Sequence, residues 1–342
     1  MAAATNSSEL FRACRDGDVT TVERLLPLTS TDILNRLEPN GSSCLHVACA
    51  NDHLEIVRLL LDYGSSRQIR DNNGHIPLDL VKTKEITELF PRPDAAAAER
   101  YGVNPTKQIE WLLGQDYAEA LTRAIAWGCV KDRGIKKTVK KIKKAGILND
   151  DESKESKLVK FYLNEAIEKN DPTFFLKIYT IEGPFFSNFN RYMTEGSRKQ
   201  VYKKLCGKWS GYYTGAIMNN PALKCYRFSG ITYRGMQITL KDFEKYKVGV
   251  ALTNKAFQST SKLRKIALHF AHREQPRLEC VRIIIVYLIV DPKSGLDISS
   301  ISEYPDEEEV LMVPGTCFKV THVDKSGPVC EAHLRQLVPT DE

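Results

Sequence analysis

Two glutamates with chemical potential, Glu307 and Glu309, lie in the stretch Glu303-Tyr304-Pro305-Asp306-Glu307-Glu308-Glu309-Val310-Leu311-Met312-Val313-Pro314. Five of its first seven residues are acidic, and the chain then turns apolar at once. Carboxylates crowded against a hydrophobic run repel one another, and that cost needs a reason. A strand period of two predicts Glu307 and Glu309 on one face and Glu308 on the other, with the first pair's backbones about 6.6 Å apart. Two carboxylates on one face can divide the work at a sugar-like centre. One stabilises a cationic transition state, and the other orients or deprotonates a nucleophile. The same residues also read as a solvated acidic loop ahead of an edge strand.

Two further runs carry reactive side chains. Tyr233-Arg234-Gly235 sets an arginine at a strand end beside a glycine that lets a backbone approach closely. That pairing suits bidentate phosphate binding. Phe257-Gln258-Ser259-Thr260-Ser261 lines a strand with hydroxyls that can bind a ribose or fix a carboxylate. Each run alone also reads as ordinary strand sequence. His269 and His272 share a helix face without further clustered ligands, so no metal is implied.

The elements that must position these residues follow from the rest of the chain. At 342 residues there is length for two domains and a connecting region. The nine cysteines are scattered singly, which fits a thiol-reducing compartment rather than a disulfide framework or zinc site. The N-terminus lacks a basic and an apolar region of the secretory kind, and the longest apolar run, 283–290, is too short to span a membrane. The expectation is an intracellular, cytoplasmic protein without membrane association. The net charge of +6 is uneven. Residues 131–144 hold eight Lys or Arg and one Asp, a local +7 that leaves 6 − 7 = −1 for the remainder. Ile135, Val139 and Ile142 interleave at helical spacing, so this basic segment reads as an amphipathic helix with a solvated face. Nucleic-acid, acidic-partner and nuclear-import readings remain open, but the lack of interleaved aromatics weighs against nucleic acid.

Gly41-Ser42-Ser43-Cys44-Leu45-His46-Val47-Ala48 is followed 33 residues after Gly41 by the Gly74 of Asn73-Gly74-His75-Ile76-Pro77-Leu78-Asp79. That period and those residues resemble ankyrin repeats. Leu45, Ala48 and Cys49 predict a small-residue inner helix; Ile56, Val57, Leu60 and Leu61 predict an outer one that Gly64 ends. Three repeats over 8–90, the last truncated, would bind a protein partner. His46 reads as the structural histidine of its repeat. Residues 91–150 read as a helical linker region containing the basic segment, with a helical pattern over 101–127. Residues 155–338 read as an α+β domain: helices over 158–167 and 173–179, then short β-rich runs interrupted by a helix at 262–272.

Taken in order, the Arg-Gly, Phe-x-Ser-Thr-Ser and Glu-x-Glu runs resemble the Arg–Ser–Glu class of mono-ADP-ribosyltransferases, over roughly 158–337. The resemblance implies a helical lobe plus a mostly antiparallel β-sandwich core, with NAD as co-substrate and no metal. It implies that Arg234 holds the pyrophosphate or the nicotinamide-side ribose and that the Gly235 backbone meets the nicotinamide amide. Ser259 would hydrogen-bond and orient Glu309. Glu309 would bind the ribose hydroxyl and stabilise the oxocarbenium ion. Glu307 would receive a target arginine and act as its base, and Tyr304 would stack on that arginine. The implied activity is transfer of ADP-ribose to target-protein arginine, with the ankyrin repeats recruiting the target. An NAD glycohydrolase of the same fold and a non-catalytic ankyrin scaffold are the alternatives.

Overall fold

The computed structural model of the chain describes residues 2–92, 111–114, 131–148, 153–181, 183–194, 208–272 and 279–338. The N-terminal part is helical: α1 (Ala2–Asp16), α2 (Val19–Leu25), α3 (Thr31–Leu34), α4 (Cys44–Ala50), α5 (Leu54–Asp62) and α6 (Lys84–Thr87). Its helix starts are fixed locally. The Asp18 carboxylate accepts the Thr21 N–H at α2, and the Ser43 hydroxyl accepts the His46 N–H at α4. Ala48, Cys49, Ile56, Val57 and Leu60 are fully buried in one core with Val22 and Ile86. The third repeat is cut short: Pro77–Leu80 is a single 3₁₀ turn and α6 has only four residues.

His46 ties two repeats together. Its Nδ1 accepts the Ser43 N–H at 3.2 Å, and its Nε2–H donates to the His75 carbonyl at 3.0 Å. Burial pulls its pKa below the ordinary histidine value, which keeps Nδ1 an acceptor.

A helical lobe follows: α7 (Ile135–Lys144), α8 (Lys154–Glu168), α9 (Thr173–Thr180), α10 (Pro184–Thr194) and α11 (Trp209–Asn219). The basic segment is an amphipathic helix, as its spacing predicts. Ile135, Val139 and Ile142 are buried in the same core as α8, α9 and α11, while Lys136, Lys137, Lys140, Lys143 and Lys144 face solvent. The apolar stripe is thus consumed inside the lobe.

The strands are β1 (Trp111–Gly114), β2 (Arg227–Phe228), β3 (Gly230–Thr239), β4 (Ala251–Asn254), β5 (Gln258–Ser261), β6 (Cys280–Ile289), β7 (Gly295–Asp297), β8 (Glu309–Met312), β9 (Cys317–Asp324) and β10 (Cys330–Gln336). They join in the order β1-β4-β9-β10-β6-β3-β5-β8-β7-β2, antiparallel except for β6–β10. Two short helices, α12 (Leu240–Phe243) and α13 (Arg264–His272), interrupt them. One junction is nearly open: β3 and β5 share a single pair, Tyr233 with Ser261. The sheet folds over there. Val310 and Met312 of β8 share a core with Ile283 and Ile285 of β6, so the two halves pack as a sandwich. Leu311 and Val313, of opposite parity, pack with the helical lobe.

One expectation fails here. Residues 111–114, within the helical pattern expected over 101–127, form β1 and pair with β4, Trp111 opposite Asn254. The Ile109, Leu112 and Leu113 spacing fits a helix, but pairing along an open sheet edge overrides so short a local pattern. The rest of that expected helix lies outside the described residues. Among the described residues, no helix is long and apolar enough to cross a membrane.

Candidate active site

Three adjacent strands, β3, β5 and β8, bring Arg234, Ser259 and Glu309 together. Arg234 is 3% exposed and donates from Nη1 to the Ser259 carbonyl at 2.8 Å. It therefore braces β5 across the opening where β3 and β5 part. The Thr260 hydroxyl donates to the Val310 carbonyl at 2.8 Å, adding a side-chain bond to the β5–β8 ladder. Upstream, the Tyr179 hydroxyl donates to the Phe257 carbonyl at 3.1 Å, and the two rings meet edge to face. The helical lobe thus fixes where β5 begins.

Close approach at Gly235 is made by the chain itself. A Cβ there would fall 1.7 Å from the Ala267 carbonyl oxygen of α13 and 3.1 Å from the Ala271 nitrogen. Only glycine lets the helix lie against β3. Beyond Tyr233 the edge of β3 that turns away from β6 is no longer paired with β5. Backbone groups of 234 and 235 therefore border the parted junction.

Glu309 begins β8 and is fully buried. Its cross-strand partner is Ser261; Ser259 stands opposite Leu311, one diagonal away on the same face. The Ser259 hydroxyl is buried without a hydrogen-bond partner among the described residues. The expected Ser259–Glu309 hydrogen bond is thus not formed here, although the diagonal register keeps the two side chains on one face. Burial of an unsatisfied hydroxyl is costly.

The expectation that strand alternation separates the three glutamates also fails. Pro305–Glu307 is a 3₁₀ turn, and Glu308 is left-handed with φ 46°. Proline at 305 and four acidic residues favour a turn over an extended run. The side chains still diverge. Glu308 pairs with Lys262 at 2.5 Å on the surface. Burial works against the Lys262 charge, but its bonds to Asp297 and Glu308 outweigh burial and raise its pKa. Glu307 turns the other way and is buried.

What Glu307 meets is Arg92, two residues past the end of the ankyrin core at Phe90. Arg92 Nε donates to Glu307 Oε1 at 2.6 Å and Nη2 to Oε2 at 2.9 Å. Nη1 donates more weakly to the Thr180 carbonyl at 3.4 Å. The guanidinium lies over the Tyr304 ring, 3.8 Å from its centroid, and Arg67 approaches the same ring at 5.1 Å. Asp306 beside this pair has its pKa raised, first by burial and then by the Glu307 charge. Glu303 anchors the loop from its other end. It accepts from the Ser66 hydroxyl at 2.9 Å, the Arg67 N–H at 2.8 Å and the Tyr162 hydroxyl. Burial, and then the Glu303 charge, push the Tyr162 pKa well up and keep that phenol a donor.

Arg92, Ser66 and Tyr162 carried no mark in the sequence. Arg92 stands between two prolines that read only as the end of the repeats, and it meets Glu307 across 215 positions. Among the described residues no group of three or more His, Cys, Asp or Glu could hold a metal.

The arginine, the serine and the glutamate thus sit on neighbouring strands of one sheet. Residues 218–338 match the ADP-ribosyltransferase exoenzyme family, and residues 10–82 match ankyrin repeats in three copies. The chain therefore joins ankyrin repeats to an ADP-ribosyltransferase exoenzyme domain. Among individual proteins, it is similar to the putative NAD(+)–arginine ADP-ribosyltransferase Vis of Vibrio splendidus, 32% identical over 107 residues, or 30% of this chain and 41% of that protein. It is likewise similar to mouse Ankyrin repeat domain-containing protein 40, 32% identical over 90 residues, 26% of this chain and 24% of that one. The chain thus spans less than half the length of each of these relatives. Among solved structures, Vis in complex with the M6 inhibitor aligns with a TM-score of 0.40 at 19% identity, over 56% of this chain and 90% of that one. The type III effector XopAI from Xanthomonas axonopodis pv. citri aligns with a TM-score of 0.42 at 16% identity, over 64% and 97%.

Proposed function

We propose that the chain transfers ADP-ribose from NAD to arginine side chains of target proteins, releasing nicotinamide. Arg234, Gly235, Ser259 and Glu309 form the donor side. The Arg234 guanidinium supplies a buried cation for the pyrophosphate or the adjoining ribose. The orphaned Ser259 hydroxyl suits a ribose or the Glu309 carboxylate once the site is filled. Glu309 stabilises positive charge at the ribose carbon. Glu307 and Tyr304 form the acceptor side. A guanidinium, with a pKa above about 12, is a poor nucleophile until a carboxylate is placed on it to take a proton.

The observation that carries the arginine reading is the seat between Glu307 and Tyr304. A guanidinium fits it with two parallel hydrogen bonds below and an aromatic ring above, the geometry that tells arginine from lysine. The name that Vis carries points the same way. The ankyrin repeats, set against the acceptor loop through Ser66 and Arg67, recruit the target.

The test is label transfer from NAD to arginine-rich protein, alongside nicotinamide release. Glu309→Gln lowers both by about 100-fold or more. Glu307→Gln abolishes protein labelling while hydrolysis of NAD persists. Protein labelling that survives Glu307→Gln removes Glu307 from the acceptor role. Equal loss of hydrolysis in both variants shows that the two carboxylates do not divide the work.

A further inference from the structure

The acceptor seat already holds an arginine from this chain. We propose that Arg92 is an internal ADP-ribose acceptor, modified by the domain it is docked on. This rests on the transferase reading above.

Three observations carry it. The first is chemical identity: Arg92 offers Glu307 the same group, in the same bidentate pairing, that a target arginine would offer. The second is the aromatic cover, with Cζ 3.8 Å over the Tyr304 ring. The third is exclusivity. Arg92 takes both Glu307 oxygens, so no arginine of another protein pairs with this carboxylate while Arg92 stays. A purely structural tie between modules does not need the acceptor carboxylate. Glu303 already provides one, with Ser66 and Arg67.

The step balances without a further reactant. Glu307 Oε2 takes the Nη2 proton it already accepts a bond from. The Nη2 lone pair then bonds to C1′ of the nicotinamide ribose. The C1′–N bond to nicotinamide breaks, and its electron pair neutralises the ring nitrogen. Bonding to C1′ makes the guanidine cationic again, matching the positive charge lost from the nicotinamide ring, and Glu307 later passes its proton to water. With ADP-ribose on Nη2, Arg92 cannot re-form the bidentate pair, so modification frees Glu307 for external targets.

The experiment uses the full chain with NAD and no added acceptor, followed by peptide mapping by mass spectrometry. The expected result is ADP-ribose on Arg92, formed at a rate per chain that does not change with protein concentration. Arg92→Lys keeps a cation beside Glu307 but loses the label at this position. It still transfers ADP-ribose to a small guanidino compound, and does so at a lower KM than the wild type because the seat is more often open. If Arg92→Lys modifies the free guanidino compound while wild-type Arg92 stays unlabelled, the proposal is overturned and the transferase reading stands. Labelling of Arg92 that accelerates with protein concentration overturns it too, because one chain is then modifying another. No nicotinamide release by either protein with any acceptor sinks the transferase reading, and the proposal with it.

Discussion

Removing one partner of the Arg92–Glu307 pair should cost far more than removing a surface ion pair. Both side chains are almost completely out of water, and the pairing is bidentate at 2.6 and 2.9 Å. Glu307→Leu would take the bidentate carboxylate away from a guanidinium buried beside Tyr304, whose bond to the Thr180 carbonyl is a long 3.4 Å. Stranding a buried charge in this way costs about 3–5 kcal/mol. Arg92→Met would strand the carboxylate and cost about as much. The loss is capped by local undocking, since a segment that can swing into water relieves the strain at the price of its own contacts. The double variant Arg92→Met with Glu307→Leu strands nothing, and apolar replacements of such pairs are often neutral, so it should lie within about 1 kcal/mol of the wild type. Urea unfolding of the four proteins gives the cycle, read as midpoint shifts at unchanged slope. Single variants costing under about 1 kcal/mol, the range of exposed pairs, would refute the burial argument. So would a double variant that costs the sum of the singles.

Three further outcomes follow from particular residues. Gly235→Ala places a methyl against the Ala267 carbonyl, so α13 must shift, and the urea midpoint should fall by an amount worth about 1–3 kcal/mol; an unchanged midpoint means the helix is not held there. Glu308→Ala removes a half-exposed partner of Lys262, and turnover should stay within about twofold of wild type. A loss as deep as that of Glu309→Gln would end the division of roles among the three glutamates. The His46 ring is held below the ordinary value of 6.5 by burial, so the unfolded chain binds the proton more readily than the folded one. Stability is then lost as pH falls through about 6.5 toward the lower folded value. Thermal unfolding across that window should flatten in His46→Asn, and an equal slope in both proteins assigns the acid sensitivity elsewhere.

Local chemistry was legible in the sequence wherever a few neighbouring residues decide it. The structural place of His46, the small-residue face of α4 and the buried stripe Ile135, Val139 and Ile142 all follow from spacing. The runs at Arg234, Ser259 and Glu309 read as β-rich, and they lie in β3, β5 and β8; that these strands are neighbours is a matter of topology that local pattern does not give. Register was not legible: whether Ser259 or Ser261 faces Glu309 depends on how two strands slide, which period alone does not set. The 307–309 geometry was misread because carboxylate alternation looks the same in a strand and in a turn that ends in a left-handed residue. Arg92 was invisible for a different reason. Its meaning lies wholly in a residue 215 positions away.

The left-handed residue at 308 is a joint in the acidic stretch. On its C-terminal side, Glu309 is locked in the ladder, and its carbonyl accepts the Ile298 N–H at 3.0 Å. On its N-terminal side, the turn answers to Ser66, Arg67 and Arg92 of the other module. The two halves are therefore held by different partners. Under the roles proposed above, substitutions before 308 bear on the acceptor seat, while the strand after it keeps the donor side.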